Sequence, residues 1–307
     1  MKKQLLILGI IVLLICVGLS GCNEQTPQTL IVGSGEKYTT IQAAIEAAHN
    51  GDTIQVKTGT YMENIVINKP LTLLSNNTAN TVIDGGKKGQ VIEIKSSNVI
   101  ISGFTIRNSD TSGSYFPSAI YLDGTQNCRI EYNTISNNIW GIYLTGANNN
   151  IIIGNTVVLN EAHGIRLWNS NNNQITDNTI TNNSASGFLI GHSDRNIISE
   201  NLLSSNNYDG ITLESSSSNY ITDNTIMKNR YGILIQTLPD GPTNSNTITS
   251  NIIMSNEQYG ININCPKGSG EISGNQITGN TIKENKDGQI NQGESCTDNI
   301  IENNVLS

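Results

Sequence analysis

A glycine recurs through the second half of this chain at a nearly fixed interval, and that interval limits what the chain can fold into. Gly141, Gly164, Gly187, Gly210, Gly232, Gly260 and Gly288 are separated by 23, 23, 23, 22, 28 and 28 residues. An apolar-x-apolar triplet follows: Ile142-Tyr143-Leu144, Ile165-Arg166-Leu167, Phe188-Leu189-Ile190, Ile211-Thr212-Leu213, Ile233-Leu234-Ile235 and Ile261-Asn262-Ile263, with a weaker Gln289-Ile290 last. Self-similarity of this length marks a solenoid, in which one short unit stacks on the next. Period-two alternation in short runs, broken by Asn, Asp, Ser and Gly, is the pattern of strands and turns. No unit holds ten residues with helical spacing, and the Leu pattern of a leucine-rich repeat is absent. Each unit therefore predicts one coil of three short strands, stacked in parallel at about 4.8 Å. Roughly nine or ten such coils reach a height of about 45 Å.

Asparagine repeats with the glycines. The chain holds 45 Asn, and 21 of them fall into three columns. The first is Asn133, Asn155, Asn178, Asn201, Asn224, Asn251, Asn280 and Asn303. The second is Asn138, Asn160, Asn183, Asn206, Asn229, Asn256 and Asn285. The third is Cys128, Asn150, Asn173, Asn196, Asn219, Asn246, Asn275 and Asp298. A carboxamide both donates and accepts, so stacked copies can bond from coil to coil. Asn also tolerates the left-handed backbone that a sharp corner needs. These residues are expected to be structural.

The ends differ from the middle. Lys2 and Lys3, an apolar run from Leu5 to Leu19, and Leu19-Ser20-Gly21-Cys22 have the layout of an export signal, 1–21. The last four residues resemble a lipobox, which implies acylation of Cys22, a lipid partner, and a tether over 22–29. In 39–49, Ile41, Ala44, Ile45 and Ala48 share one helical face, with Thr39 or Thr40 as N-cap and Gly51 beyond the end. A helix there would cover the open end of the stack. Insertions at about 107–118 (with Tyr115 and Phe116), 237–243 and 264–271 interrupt the coils and are expected as loops. Charged residues are 14% and the net charge is -8, without a basic cluster, so nucleic acid is excluded as a partner.

Tyr38-Thr39-Thr40-Ile41-Gln42-Ala43-Ala44-Ile45, Gly51-Asp52-Thr53-Ile54, Gly59-Thr60-Tyr61 and the Asn-rich coils such as Asn178-Thr179-Ile180-Thr181-Asn182-Asn183 resemble one known superfamily. It is the right-handed parallel β-helix, or pectin lyase-like, superfamily, and within it the NosD-like group of carbohydrate-binding and sugar-hydrolase domains. The resemblance covers about 30–307. It implies an all-β, single-stranded right-handed parallel β-helix with three short strands per coil and an N-terminal helical cap. Members include polysaccharide lyases, hydrolases, epimerases, an accessory protein implicated in copper delivery, and surface proteins without known activity. The Asp-Pro-His-Glu run of the epimerases is absent here.

Several outward groups are candidates for function. Asp177, Glu200 and Asp223 form one column on successive coils, each just before a ladder Asn. Such carboxylates suit an acid/base pair or a Ca2+ site, or else a solvated acidic turn face. Tyr132 is placed one coil position from this column. Trp140, Tyr143, His163, Arg166 and Trp168 fall on two adjacent coils, and rings beside polar donors suit sugars. His163 alone is a weak base candidate. Met227 and Met254 share a column and could hold soft copper, or simply pack. Cys128 takes a ladder position as a buried thiol, and Cys265 and Cys296 could pair in an exported protein. The expected function is polysaccharide binding or scaffolding at the cell envelope. The rivals are a polysaccharide lyase or hydrolase and a copper-related accessory protein.

Overall fold

The computed structural model describes residues 26–110, 117–239, 241–265 and 270–307. Each coil adds one strand to each of three parallel sheets. Sheet 1 has 12 strands, from Thr29–Val32 to Ile300–Glu302. Sheet 2 has 10, from Ile65–Ile67 to Gly288–Gln292, and sheet 3 has 11, from Gly59–Met62 to Val305–Leu306. Within a coil the chain runs from sheet 1 to sheet 3 to sheet 2. The register advances one unit per coil: Ile142 pairs with Ile165, and Ile165 with Phe188. This is the expected parallel β-helix, and the ten strands of sheet 2 match the expected coil count.

Alternation sends one set of side chains inward. Ile130, Ile152, Ile175, Ile198 and Ile221 stack along sheet 1, and Ile135, Val157, Ile180, Leu203 and Ile226 along sheet 3, all fully buried. Burial of each such side chain is worth about 1.5–3 kcal/mol.

The asparagines join the coils. Asn155 Nδ2 donates to Asn178 Oδ1 at 3.0 Å, and the Asn155 backbone N–H donates to the same oxygen at 2.9 Å. Asn155 Nδ2 also donates to Ile130 O at 2.9 Å. The same set recurs down all three columns. Two columns end one residue later than the repeat suggests: Asn280 bonds Asn304 rather than Asn303, and Asn275 bonds Asn299 rather than Asp298. Asn303 and Asp298 have positive φ, as do Asn137, Asn172, Asp177 and Asn182. The left-handed corner thus falls on the residue before each ladder Asn, not on the ladder Asn itself. A reversed ladder runs along the turns into sheet 1, where upper-coil N–H groups donate downward. Asn171 donates to Asn148, Asp194 to Asn171, and Ser217 to Asp194.

The periodic glycines have a steric cause. None from Gly141 to Gly260 has a positive φ. A Cβ at Gly141 would lie 2.3 Å from Gly164 O, and one at Gly232 would lie 2.4 Å from Gly260 O. The backbone of the next coil passes too close for any side chain.

The cap is helix α1 (Ile41–Ala47), shorter at both ends than the expected 39–49. Ile41, Ala44, Ile45 and Ala48 are buried on the first coils, as their spacing predicts. Thr40 is the N-cap, accepting from Ala43 N–H at 3.3 Å. Glu63, from the first coil, accepts from the Ile41 and Gln42 N–H groups at 2.8 and 2.9 Å. Lys69 donates to Glu46 O and Ala48 O at the other end. These charges oppose the partial charges of the helix ends.

Cys128 opens the third column, its N–H donating to Asn150 Oδ1 at 2.9 Å, and burial pushes the thiol pKa up. Cys265 and Cys296 are bonded, with Cα atoms 5.6 Å apart. Residues 1–25, with Cys22, and Tyr115 and Phe116 lie outside the described residues. Among the described residues no helix is long and apolar enough to cross a membrane.

Asn178→Ala removes a side chain whose amide nitrogen shares two hydrogens among three acceptors and whose oxygen accepts two bonds inside the stack. It is expected to cost about 2–4 kcal/mol in urea denaturation, while Asp177→Asn next to it stays within about 0.5 kcal/mol. Glu63→Ala should cost about 1–2 kcal/mol and speed hydrogen exchange at the Ile41 and Gln42 amides.

Candidate functional site

The outward column of sheet 2 reads Tyr121, Tyr143, Arg166, Leu189, Thr212, Leu234 and Asn262. A second outward column precedes the glycines: Trp140, His163, Ser186 and Asp209. The five residues expected to bind a ligand meet where these columns cross two coils. The Arg166 guanidinium lies 4.5 Å from the Trp140 ring, 4.7 Å from Trp168 and 5.2 Å from Tyr143. Trp140 meets Tyr143 edge-on at 4.7 Å, and Tyr121 lies 5.3 Å from Tyr143. Trp168 packs over Gly191, where a Cβ would come 2.6 Å from the ring, and meets His192 edge-on at 4.6 Å. Trp140 is 6% and Tyr143 9% exposed, whereas Arg166, Trp168 and His163 are half-buried. Burial holds the Arg166 pKa below its ordinary value, against the opposing pull of Tyr143 and Glu214.

His163 is neutral in this setting. Burial, reinforced by the Arg166 charge, lowers its pKa to about 4. Its Nδ1 accepts from Ser186 N–H at 3.3 Å, which assigns the ring proton to Nε2. The other nitrogen, Nε2, thus carries a donor rather than a lone pair. That arrangement suits hydrogen bonding to a hydroxyl better than proton abstraction.

A second group on this face escaped the sequence. Asp209, its side chain 3% exposed, pairs with Arg230 at 3.0 Å and accepts from Thr212 Oγ1 at 2.9 Å. Burial pushes the Asp209 pKa up while Arg230 and Thr212 pull it down. Ser186 Oγ and Thr212 Oγ1 are 3.2 Å apart, so hydrogen bonds run from the His163 ring to Arg230. The one available signal was the Gly210–Gly232 step, shorter by one residue than the three before it.

The acidic column stands elsewhere. Asp177, Glu200 and Asp223 are exposed left-handed corners between sheets 1 and 3, with φ of 55°, 58° and 57°. Tyr132 and Gly154 occupy the same column, so Tyr132 belongs to it rather than lying one position away. This corner is opposite sheet 2 in the coil, and the structure does not bring the carboxylates to the aromatic cluster. Among the described residues no three His, Cys, Asp or Glu converge so as to hold a metal ion. Met227 and Met254 pair in register and are half-buried, with Ser204 below and Lys283 above in the column.

These features define the class: a parallel β-helix with its side-chain chemistry on one outer face. The chain belongs to the family described as periplasmic copper-binding protein (NosD), which matches residues 45–231 and 187–307. It is 32% identical over 139 residues to a cell surface glycoprotein of Methanothermus fervidus. That match covers 45% of this chain and 21% of the glycoprotein, so it spans about a fifth of that relative. Among solved structures, the AlgE4 A-module, a mannuronan C-5 epimerase of Azotobacter vinelandii, superposes with TM-score 0.63 at 16% identity, covering 87% of this chain and 92% of that one. The periplasmic alginate epimerase AlgG gives 0.55 at 17%, covering 83% and 73%. Tailspike protein 2 of bacteriophage CBA120 gives 0.62 at 14%, covering 78% and 39%. At such identities the likeness is one of fold.

The folded state disfavours the His163 imidazolium, so it binds fewer protons than the unfolded chain between about pH 6.5 and 4. The His163 contribution to stability is therefore complete above pH 6.5 and lost as pH falls toward 4. An NMR titration should place the His163 midpoint near 4, and His163→Gln should flatten that part of the stability profile.

Proposed function

We propose that this protein is exported and binds a polysaccharide along the outer face of sheet 2. The observation that carries the reading is the Trp140–Tyr143–Arg166–Trp168 cluster, with its rings layered around one guanidinium. Trp168, half-buried, offers an aromatic face to a sugar ring, the buried Trp140 and Tyr143 hold the Arg166 guanidinium in place, and Arg166 and the His163 Nε2–H supply donors for hydroxyls. The chain insertions support it by their place in the sequence, one between the strands ending at Arg107 and starting at Ser118, ahead of a sheet 2 strand, and the other between those ending at Gln236 and starting at Thr247, after one. The acidic corner lies apart from the aromatic strip, an arrangement that favours binding over carboxylate catalysis. The Cys265–Cys296 bond supports an oxidising compartment, and acylation of Cys22 would hold the chain to a membrane there.

A second reading, a polysaccharide lyase, hydrolase or epimerase, draws support from structural neighbours named as alginate epimerases and a tailspike enzymatic domain. The copper-related reading rests on the family description alone.

A panel of neutral and acidic glycans, combined with assays for chain cleavage and epimerisation, tests the proposal. Wild-type protein should bind at least one polymer, and Trp168→Ala or Arg166→Ala should weaken binding about tenfold or more. Asp177→Asn and Asp223→Asn should leave it unchanged. Turnover that is lost in Arg166→Ala establishes the second reading, and the absence of binding to any glycan refutes both.

A further inference from the structure

Arg230 is held in a way that goes beyond an ordinary surface ion pair. Its Nε donates to Asp209 Oδ1 at 3.1 Å and its Nη2 to Oδ2 at 3.3 Å, so one edge of the guanidinium is fixed by a buried carboxylate. Its faces are fixed as well: the Tyr208 and Tyr231 rings lie 5.0 and 4.8 Å away. Asp209 is itself anchored by Thr212, and Thr212 by Ser186. The Arg230 side chain remains 34% exposed, and Nη1 makes no hydrogen bond among the described residues. A planar donor fork of this kind, with its rotamer already fixed, loses little entropy when an oxyanion meets its open edge. The Asp209 charge is engaged on the near edge, at the floor of the face. Tyr208, 50% exposed, offers a further ring surface next to the guanidinium.

The place of Arg230 along the stack matters too. It lies in the turn leading into sheet 2, above Tyr208 and Ala185 in the column two residues before the glycines, three coils further along the stack than Arg166, an axial rise of about 14 Å. Ser186 and Thr212, polar and uncharged, occupy the coils between. A ligand long enough to lie on both arginines must be a polymer or an oligomer. With a net charge of -8, the protein does not attract polyanions in general, so selection has to come from geometry at individual positions.

We infer that Arg230, fixed by Asp209 and flanked by Tyr208 and Tyr231, is a subsite for the anionic group of an acidic glycan. This deepens the proposed polysaccharide reading and rests on it. The group recognised is an oxyanion on a sugar, and a uronate carboxylate or a sulfate ester would meet the same donors.

The test compares full-length wild type with Arg230→Lys, Tyr208→Ala and Trp168→Ala. Arg230→Lys keeps a positive charge against Asp209 but loses the fork, and Tyr208 is exposed, so both variants should fold; thermal melts check this. The ligands are oligogalacturonate, a sulfated galactan and a neutral galactan, titrated by calorimetry. Arg230→Lys and Tyr208→Ala should each weaken binding of one acidic ligand about tenfold and leave any neutral binding unchanged. The ligand affected identifies carboxylate or sulfate. In wild type, the 15Nε resonance of Arg230 should shift on adding that ligand. If acidic ligands bind, Trp168→Ala weakens them, and Arg230→Lys with Tyr208→Ala does not, this subsite is wrong and the polysaccharide reading stands. Binding of the neutral ligand alone likewise eliminates the subsite and leaves polysaccharide binding intact. No binding of any ligand overturns both.

Discussion

The carboxamide of each ladder asparagine bonds the coil above and the coil below, and the rest of the molecule depends on that. A corner inside a β-helix buries backbone N–H and C=O groups that neither core nor solvent can satisfy. Asn178 answers both needs: its oxygen accepts from the coil beneath, while its amide hydrogens reach Asn201 and the carbonyls of Ile152 and Thr176. An ionised aspartate has no donor to give, and a serine hydroxyl has a single hydrogen. Because the ladder fixes which residue sits over which, it also fixes the inward isoleucine columns and the outward columns that carry the chemistry.

The candidate site is a product of that fixed register. Arg166 sits over Tyr143 and between two tryptophans because three outward positions coincide on adjacent coils. Asp209 meets Arg230 for a different reason. A turn one residue shorter brings the arginine back against the coil beneath, where its N–H donates to Tyr208 O. Each guanidinium lies between aromatic rings, which orders a side chain that would otherwise be mobile.

Much of this was legible in the residues. Glycine spacing and two-fold alternation specify the coil, and the face of Ile41, Ala44, Ile45 and Ala48 specifies the cap. The shared outward position of Tyr143 and Arg166 specifies the aromatic cluster. Where two asparagines adjoin, as at Asn303 and Asn304, the sequence does not distinguish the ladder residue from the corner residue, because both roles favour the same side chain. Asp209 and Arg230 lie 21 residues apart and come together only through the local change in turn length. The neutral state of His163 depends on burial and on the neighbouring Arg166 charge, and that burial has no sequence signature.

The ladders do not begin with the first coil. Phe104 N–H, Ser109 N–H and Cys128 N–H are the lowest donors to their columns, so the coils before about residue 104 have no amide rail beneath them. That earlier part is held by its apolar interior, by ion pairs such as Arg107 with Asp84, and by the clamped helix. The column is therefore mechanically two-zoned. Pulled along its axis, it should yield by separate steps on either side of the Cys128 level, so that the face carrying the two arginines keeps its shape after the helical lid has given way.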